Sequence, residues 1–186
     1  LHMVTTLQKA IHGPKKETPC EVCATTKMRN RTNGQVSERK ANLLDLVSID
    51  ICGPLPPALS GARYFLEIVD NHSRKVWVIP LRSRVQAKSS LETWRRNQEL
   101  HSGSKLKTIR SDNASELKST LDEWCTERGI QAQYTVPYMS SQNGVAERHI
   151  QTTENNTRAM LKEASLPIEL WDEAATAEAY LRNRTA

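Results

Sequence analysis

No run of about eighteen apolar residues occurs anywhere in the 186-residue sequence, so no membrane-spanning helix is expected. Internal repeats and low-complexity segments are also absent, which excludes solenoid and array architectures. The opening residues Leu1-His2-Met3-Val4 have neither the apolar core of a secretory signal nor the Arg-rich pattern of a transit peptide. Both that start and the close at Arg182-Asn183-Arg184-Thr185-Ala186 read as cuts in a longer polypeptide. Cysteine is sparse: the four residues, two of them as Cys20-Glu21-Val22-Cys23, make no secreted disulfide framework. A reducing compartment is expected, and the chain is not expected to be secreted.

What is present suits one globular domain with a modest appendage. Hydrophobic residues make up 38% and charged residues 25%, a balance that permits a packed core and argues against wholesale disorder. The net charge of +5 is unevenly placed. Residues 1–40 hold eight Lys/Arg against three Asp/Glu, an excess of five, which leaves eighteen of each sign in residues 41–186. A basic arm joined to an electroneutral body suits contact with a polyanion, and equally a solvated tail.

Residues 1–40 carry turn signals, His12-Gly13-Pro14 and Asn33-Gly34, and little apolar period beyond Val4–Ile11. They are expected to form a small basic segment or linker. From Leu43 to Ile51 the sequence predicts a mostly buried strand, closed by Gly53-Pro54-Leu55-Pro56-Pro57. Runs at 63–69 and 75–81 predict two more strands, with Asp70-Asn71-His72-Ser73 as the hairpin turn between them. Helix is predicted over 85–101, strand over 105–110, and helix through the stripe Leu117, Leu121, Trp124 and Cys125 up to Gly129. A fifth strand at 130–135 precedes helices over 143–162 and 167–183. Three sequential strands, then strands reached through helices, imply an α/β fold with a five-stranded mixed sheet and helices packed on it. That is the order of the ribonuclease-H-like fold, one α/β arrangement among several by periodicity alone.

Three carboxylates stand in unusual places. Asp50 lies between Ile49 and Ile51 in the most apolar strand, where burial is costly unless the group is paired, protonated or bound to a cation. A strand-end Asp reaching solvent or a backbone amide is the plainer reading. Asp112 follows the fourth strand, and Asn113 with Glu116 has the spacing of a capping box, so it could serve only as a favourable charge at a helix start. Glu147 taken alone is a surface residue, yet Gln142-Asn143-Gly144-Val145-Ala146 packs small and amide side chains before it, as where a ligand approaches closely. Adjacent strand ends crossed by a helix can bring three carboxylates together. Such a cluster repels itself unless divalent cations are bound, and all-oxygen ligands select Mg²⁺ or Mn²⁺.

At these residues the sequence resembles the integrase core of copia-type retrotransposons, within the DDE family of integrases and transposases. Ser48-Ile49-Asp50-Ile51-Cys52-Gly53-Pro54 resembles the first-Asp strand, and Asp70-Asn71-His72-Ser73-Arg74 the family's D-x-x-S-R hairpin. Arg110-Ser111-Asp112-Asn113 resembles the second-Asp motif, and Pro137-Tyr138 through Gln142-Asn143-Gly144-Val145-Ala146-Glu147-Arg148 is the most specific match. Leu166-Pro167 to Trp171, with Tyr180-Leu181-Arg182-Asn183-Arg184, resembles the copia-type helix after the core, which separates the chain from retroviral integrases. The resemblance covers most of the chain. It divides it into an N-terminal segment at 1–40, a catalytic core at 41–165 and a helical extension at 166–186.

The resemblance implies Asp50, Asp112 and Glu147 as a triad binding two Mg²⁺ or Mn²⁺ ions, with 3′-end processing and DNA strand transfer as the activity. It implies Asn113, Glu116, Gln142, Asn143 and Arg148 as supporting or DNA-contacting residues, each of which could simply cap or brace a helix. Cys20 and Cys23 resemble the second half of a His-His-Cys-Cys zinc module, although neither His2 nor His12 has the family's spacing. DNA, both element ends and target, is the implied partner, with a homo-oligomer assembled on it and no membrane. The implied setting is the nucleus, after a cytoplasmic virus-like particle. A non-catalytic nucleic-acid-binding relic and a ribonuclease-H-type hydrolase are the alternatives.

Three departures from the family pattern stand out. Only 34 residues separate Asp112 from Glu147, one fewer than the commonest spacing, with the deletion expected near Lys118–Ser119. Ala114 replaces the usual Gly. Gln151 and Glu154 stand where basic residues often follow the glutamate by one and two helical turns. Cys52 and Cys125 are expected to be buried thiols.

Overall fold

A computed structural model describes residues 40–112, 115–134 and 140–185, without the side chains of 113–117, 119, 120 and 135–147. Its strands are β1 (Val47–Cys52), β2 (Tyr64–Asp70), β3 (Val76–Leu81), β4 (Thr108–Ser111) and β5 (Gln131–Tyr134). Among the described residues the α-helices are α1 (Gln86–Ser102), α2 (Ser115–Arg128), α3 (Ser140–Glu163) and α4 (Trp171–Thr185), the last preceded by a 3-10 turn at Ile168–Leu170. The strands form one sheet in the order β3-β2-β1-β4-β5, with β1 at its centre. β1 runs antiparallel to β2 and parallel to β4, so the sheet is mixed, as expected of the ribonuclease-H-like fold.

Strand alternation sends side chains to two separate cores. Val47, Ile49, Leu66 and Ile68 face α1 and α2, where they pack with Leu91, Trp94, Leu121, Trp124 and Cys125. Phe65, Val69, Val76 and Val78 face the other side, against Leu161 of α3 and Trp171, Ala175 and Ala179 of α4. The predicted stripe on α2 is therefore core-facing at Leu121, Trp124 and Cys125, although the side chain of Leu117 lies outside the described residues. α4 is an integral layer of the second core. The Asn183 carboxamide accepts from the Val76 N–H at 2.8 Å and donates to the Val76 carbonyl at 2.7 Å, on the outer edge of β3.

Element ends differ from expectation for local reasons. β1 begins at Val47 rather than Leu43, because Leu44 takes a left-handed φ of 61° and Asp45 accepts from the Asn42 amide in a tight turn. The Leu44 N–H bonds to Asp70 Oδ1 at 3.0 Å instead of joining a ladder. Asp70 also accepts from the Ser73 N–H at 2.7 Å and its hydroxyl at 2.6 Å, which is the physical content of the D-x-x-S-R hairpin. Helix is predicted to begin at Pro167, but 3-10 geometry holds until Trp171, whose indole N–H reaches the Pro56 carbonyl at 2.8 Å. None of the described helices is long and apolar enough to cross a membrane.

Candidate functional site

The site lies on the α3 side of the sheet, at the C-terminal end of β1. Burial along β1 gives way at Asp50: Val47, Ser48 and Ile49 are buried, while Asp50, Ile51 and Cys52 are partly exposed. Asp50 therefore stands at the sheet's rim, and one of its oxygens accepts from the Ile51 N–H at 2.8 Å. The parallel pairing of β1 with β4 runs Val47 to Ile109 and Ser48 to Arg110. The same offset, carried two residues past the last observed pair, would match Asp112 with Asp50; Asp112 itself lies one residue beyond the end of β4. Asp112 is partly exposed and directly follows Ser111, the last residue of β4.

Position 147 is the eighth residue of α3. It precedes Glu154 by seven residues, two helical turns along one strip. That strip carries the partly buried Ile150 and Glu154, then the buried Thr157 and Leu161, and it faces the sheet. The backbone therefore places position 147 on the sheet-facing strip of the helix that packs on β1. The side chains of Glu147, Gln142, Asn143 and Glu116, with Asn113 and Ala114, lie outside the described residues. So do Cys20 and Cys23, and with them the zinc expectation. Arg148 is described and exposed, as are Arg158 and Lys162 further along α3.

Glu154 is partly buried. It turns inward: the Cys52 thiol donates to its Oε1 at 3.1 Å, and Arg158 pairs with its other oxygen at 3.4 Å. Burial, reinforced by that carboxylate, pushes the Cys52 thiol well above its ordinary pKa. Cys125 is a buried thiol as expected, whereas Cys52 is only partly buried.

A residue that the sequence reading passed over is Glu67. It pairs with Asp50 across β1 and β2, on the same face, yet it is only 2% exposed. Its Oε1 accepts from the Thr153 hydroxyl at 2.8 Å and from Arg182 at 3.2 Å. Arg182 also donates to Thr153 at 2.6 Å, pairs with Glu178 at 3.0 Å and lies 3.4 Å from His149 Nδ1. Burial pushes the Glu67 carboxyl up to about 7, against the opposing pull of Thr153 and Arg182. Burial likewise holds the His149 imidazole down at about 4, helped by the Arg182 charge, so it is neutral at physiological pH. The signal was available: a charged residue in Leu66-Glu67-Ile68-Val69 is as odd as Asp50 in its own strand.

Among the described side chains no group of three or more His, Cys, Asp or Glu converges to hold a metal ion. Asp50 and Asp112 are partly exposed carboxylates at or just past the ends of neighbouring strands, and an all-oxygen donor set suits Mg²⁺ or Mn²⁺, so the donor chemistry fits a divalent cation. Among the described residues a groove of about 910 Å³ runs along β3 between α1 and α4, past Trp77, Trp94 and Tyr180, two strands away from β1.

With this geometry in place, the chain was compared with known proteins. Residues 43–140, more than half of it, match the integrase core domain family. A retrovirus-related Pol polyprotein from transposon TNT 1-94 of Nicotiana tabacum is 39% identical over 169 residues, covering 90% of this chain and 13% of the polyprotein. A retrovirus-related Pol polyprotein from transposon RE1 of Arabidopsis thaliana is 26% identical over 165 residues, covering 89% of this chain and 11% of the polyprotein. The chain thus spans about an eighth or less of the relatives' lengths. Sheet order and these matches converge: the chain belongs to the integrase core domain family, as the integrase core of a copia-type retrotransposon element.

Proposed function

We propose that this chain catalyses divalent-metal-dependent 3′-end processing and strand transfer of retroelement DNA, with Asp50, Asp112 and Glu147 as the metal-binding triad. The observation that supports the reading is the parallel pairing of β1 with β4, whose offset matches Asp50 with Asp112 when carried just past the ladder, with the helix that bears position 147 packed on β1. Bound Mg²⁺ or Mn²⁺ would stabilise the charge that develops on the attacking and leaving oxygens of an in-line phosphoryl displacement. The chain's own part is to hold carboxylate oxygens fixed at the rim of β1 and β4. Arg148, Arg158 and Lys162 are exposed cations along α3, suited to phosphate contacts that position DNA without reading its sequence. Element ends and target DNA are the substrates in this reading. It includes a homo-oligomer assembled on that DNA, which acts in the nucleus.

The test is a Mn²⁺-dependent strand-transfer or disintegration assay on the chain, with Asp112→Asn and Glu147→Gln alongside. Loss of activity in both variants at unchanged melting temperature supports the triad. Activity surviving either substitution overturns it. Hydrolysis without any joined product would instead favour a ribonuclease-H-type nuclease.

A further inference from the structure

The buried apolar anchor of α3 lies late in the helix, where Leu161 enters the second core, and the partly buried Ile150 packs against that core earlier. Around the middle of α3 the contacts are polar. His149, Thr153 and Asn156 follow one another at helical spacing and meet Arg182, Glu67 and Glu178 respectively. Thr153 is fully buried, and Glu67 and Glu178 are nearly so. Apolar packing is non-directional and tolerates sliding, whereas buried hydrogen bonds fix both the rotation and the height of a helix. Arg182 is the common element. From the last turn of α4 it reaches β2 through Glu67, α3 through Thr153, and its own helix through Glu178. Glu67 is in turn the strand partner of Asp50.

We propose that Arg182 is a positioning residue: through Thr153 and Glu67 it sets the height and rotation of α3 against β1, and so the placement of backbone position 147 relative to Asp50. Six residues separate 147 from Thr153, about 9 Å of continuous helix, so a shift at Thr153 is carried rigidly to position 147. Arginine suits the task because its planar fork addresses several acceptors at once, which a lysine ammonium on a flexible stem does not. This role rests on the metal-triad reading above.

Two variants separate position from charge and from folding. Arg182→Lys keeps the charge but not the fork. Thr153→Val keeps the side-chain shape and leaves the Arg182–Glu67 pair, so it serves even where the lysine variant folds poorly. The primary readout is Mn²⁺ affinity of the full chain, followed by water-proton relaxation, with the melting temperature recorded for each protein. Both variants are expected to lose affinity about tenfold, the scale typical for partners that orient ligating groups. The Thr153→Val protein is expected to do so with its melting temperature retained, and with strand-transfer kcat falling while KM for DNA holds. Affinity within twofold of the parent in both variants overturns the positioning role, as does affinity lost only in proteins that also melt earlier. Asp112→Asn is the control: if it leaves Mn²⁺ affinity unchanged, the metal-site reading fails and the positioning role fails with it. If Asp112→Asn abolishes binding and the two variants do not weaken it, the positioning role alone fails.

Discussion

Asp50 and Glu67 are cross-strand neighbours on one face of the sheet, yet one stands at the rim and the other is sealed beneath α3 and α4. Two like charges opposed on adjacent strands destabilise a sheet unless one is compensated. Here the compensation is Arg182 with the Thr153 hydroxyl. Removing Arg182 strands a buried carboxylate. Arg182→Met is therefore expected to lower unfolding stability on the order of 3–5 kcal/mol. The double variant Glu67→Leu/Arg182→Met should regain part of that loss, since an apolar pair replaces one ion pair while the buried Glu178 still lacks Arg182. Urea unfolding of the single and double variants checks both expectations, and a double variant no more stable than the single would contradict them.

The opposite core has its own ionic hub. Glu92 on α1 accepts from Arg95, Arg96, the Arg128 guanidinium and the Trp124 indole N–H, the last two on α2. The Arg95 hydrogen bond, then those from Arg96 and Arg128, outweigh burial and hold its carboxyl down at about 2. A carboxylate depressed on folding contributes its full stability above the unfolded-state value near 4.3, and loses it as pH falls towards 2. Melting temperature is expected to drop across that window. Glu92→Gln should be less stable at pH 7, on the order of 2 kcal/mol after allowance for solvent screening, and should show a flatter acid limb. Scanning calorimetry from pH 7 to pH 2 on both proteins tests this, and parallel acid limbs would contradict it.

Burial raises both described thiols, Cys125 to about 11 and Cys52 further, so little reactive thiolate exists at neutral pH. In the native chain at pH 8, maleimide labelling of these two cysteines is expected to be slow, and to accelerate strongly in denaturant. Peptide mapping assigns each label. Rapid native labelling of Cys52 would show that its contact with Glu154 opens readily.

Gly53 turns the chain just beyond the Asp50 strand with a φ of 127°. A Cβ there would lie 2.7 Å from the Arg63 carbonyl oxygen and from Tyr64 Cδ1. Backbone conformation and space both require glycine. Gly53→Ala should cost roughly 2–3 kcal/mol and loosen the end of β1, read as a lower melting temperature and faster amide exchange at Ile51 and Cys52.

Much of this arrangement was legible along the chain because its signals are local. Alternation in β1 to β3, the helical stripe at Leu121, Trp124 and Cys125, and the Asp70–Ser73 turn all act within a few residues. Asp50 and Asp112 were visible as carboxylates out of place in or after apolar strands. Local pattern could not show that Asp45 and Leu44 form a turn that delays β1, because that turn depends on Asp70, 26 residues away. The Glu67–Arg182 pair was harder still. Its partners are 115 residues apart, and nothing near Arg182 distinguishes it from the exposed arginine at 184. The contact of Glu154 with Cys52 was equally hidden, because helical spacing alone does not say which strip of α3 the sheet covers.

The Asn183 carboxamide has a consequence for how the protein behaves at high concentration. β3 is an edge strand, and its outer amide and carbonyl groups are a template on which another chain could add a strand. By engaging both polar groups of Val76, Asn183 occupies the place of a neighbouring peptide unit and ends that template. α4 is thus a built-in stopper against self-templated aggregation. Any shorter piece ending before Trp171 would uncover the edge together with the apolar Val76 and Val78, and would precipitate for reasons unrelated to its chemistry.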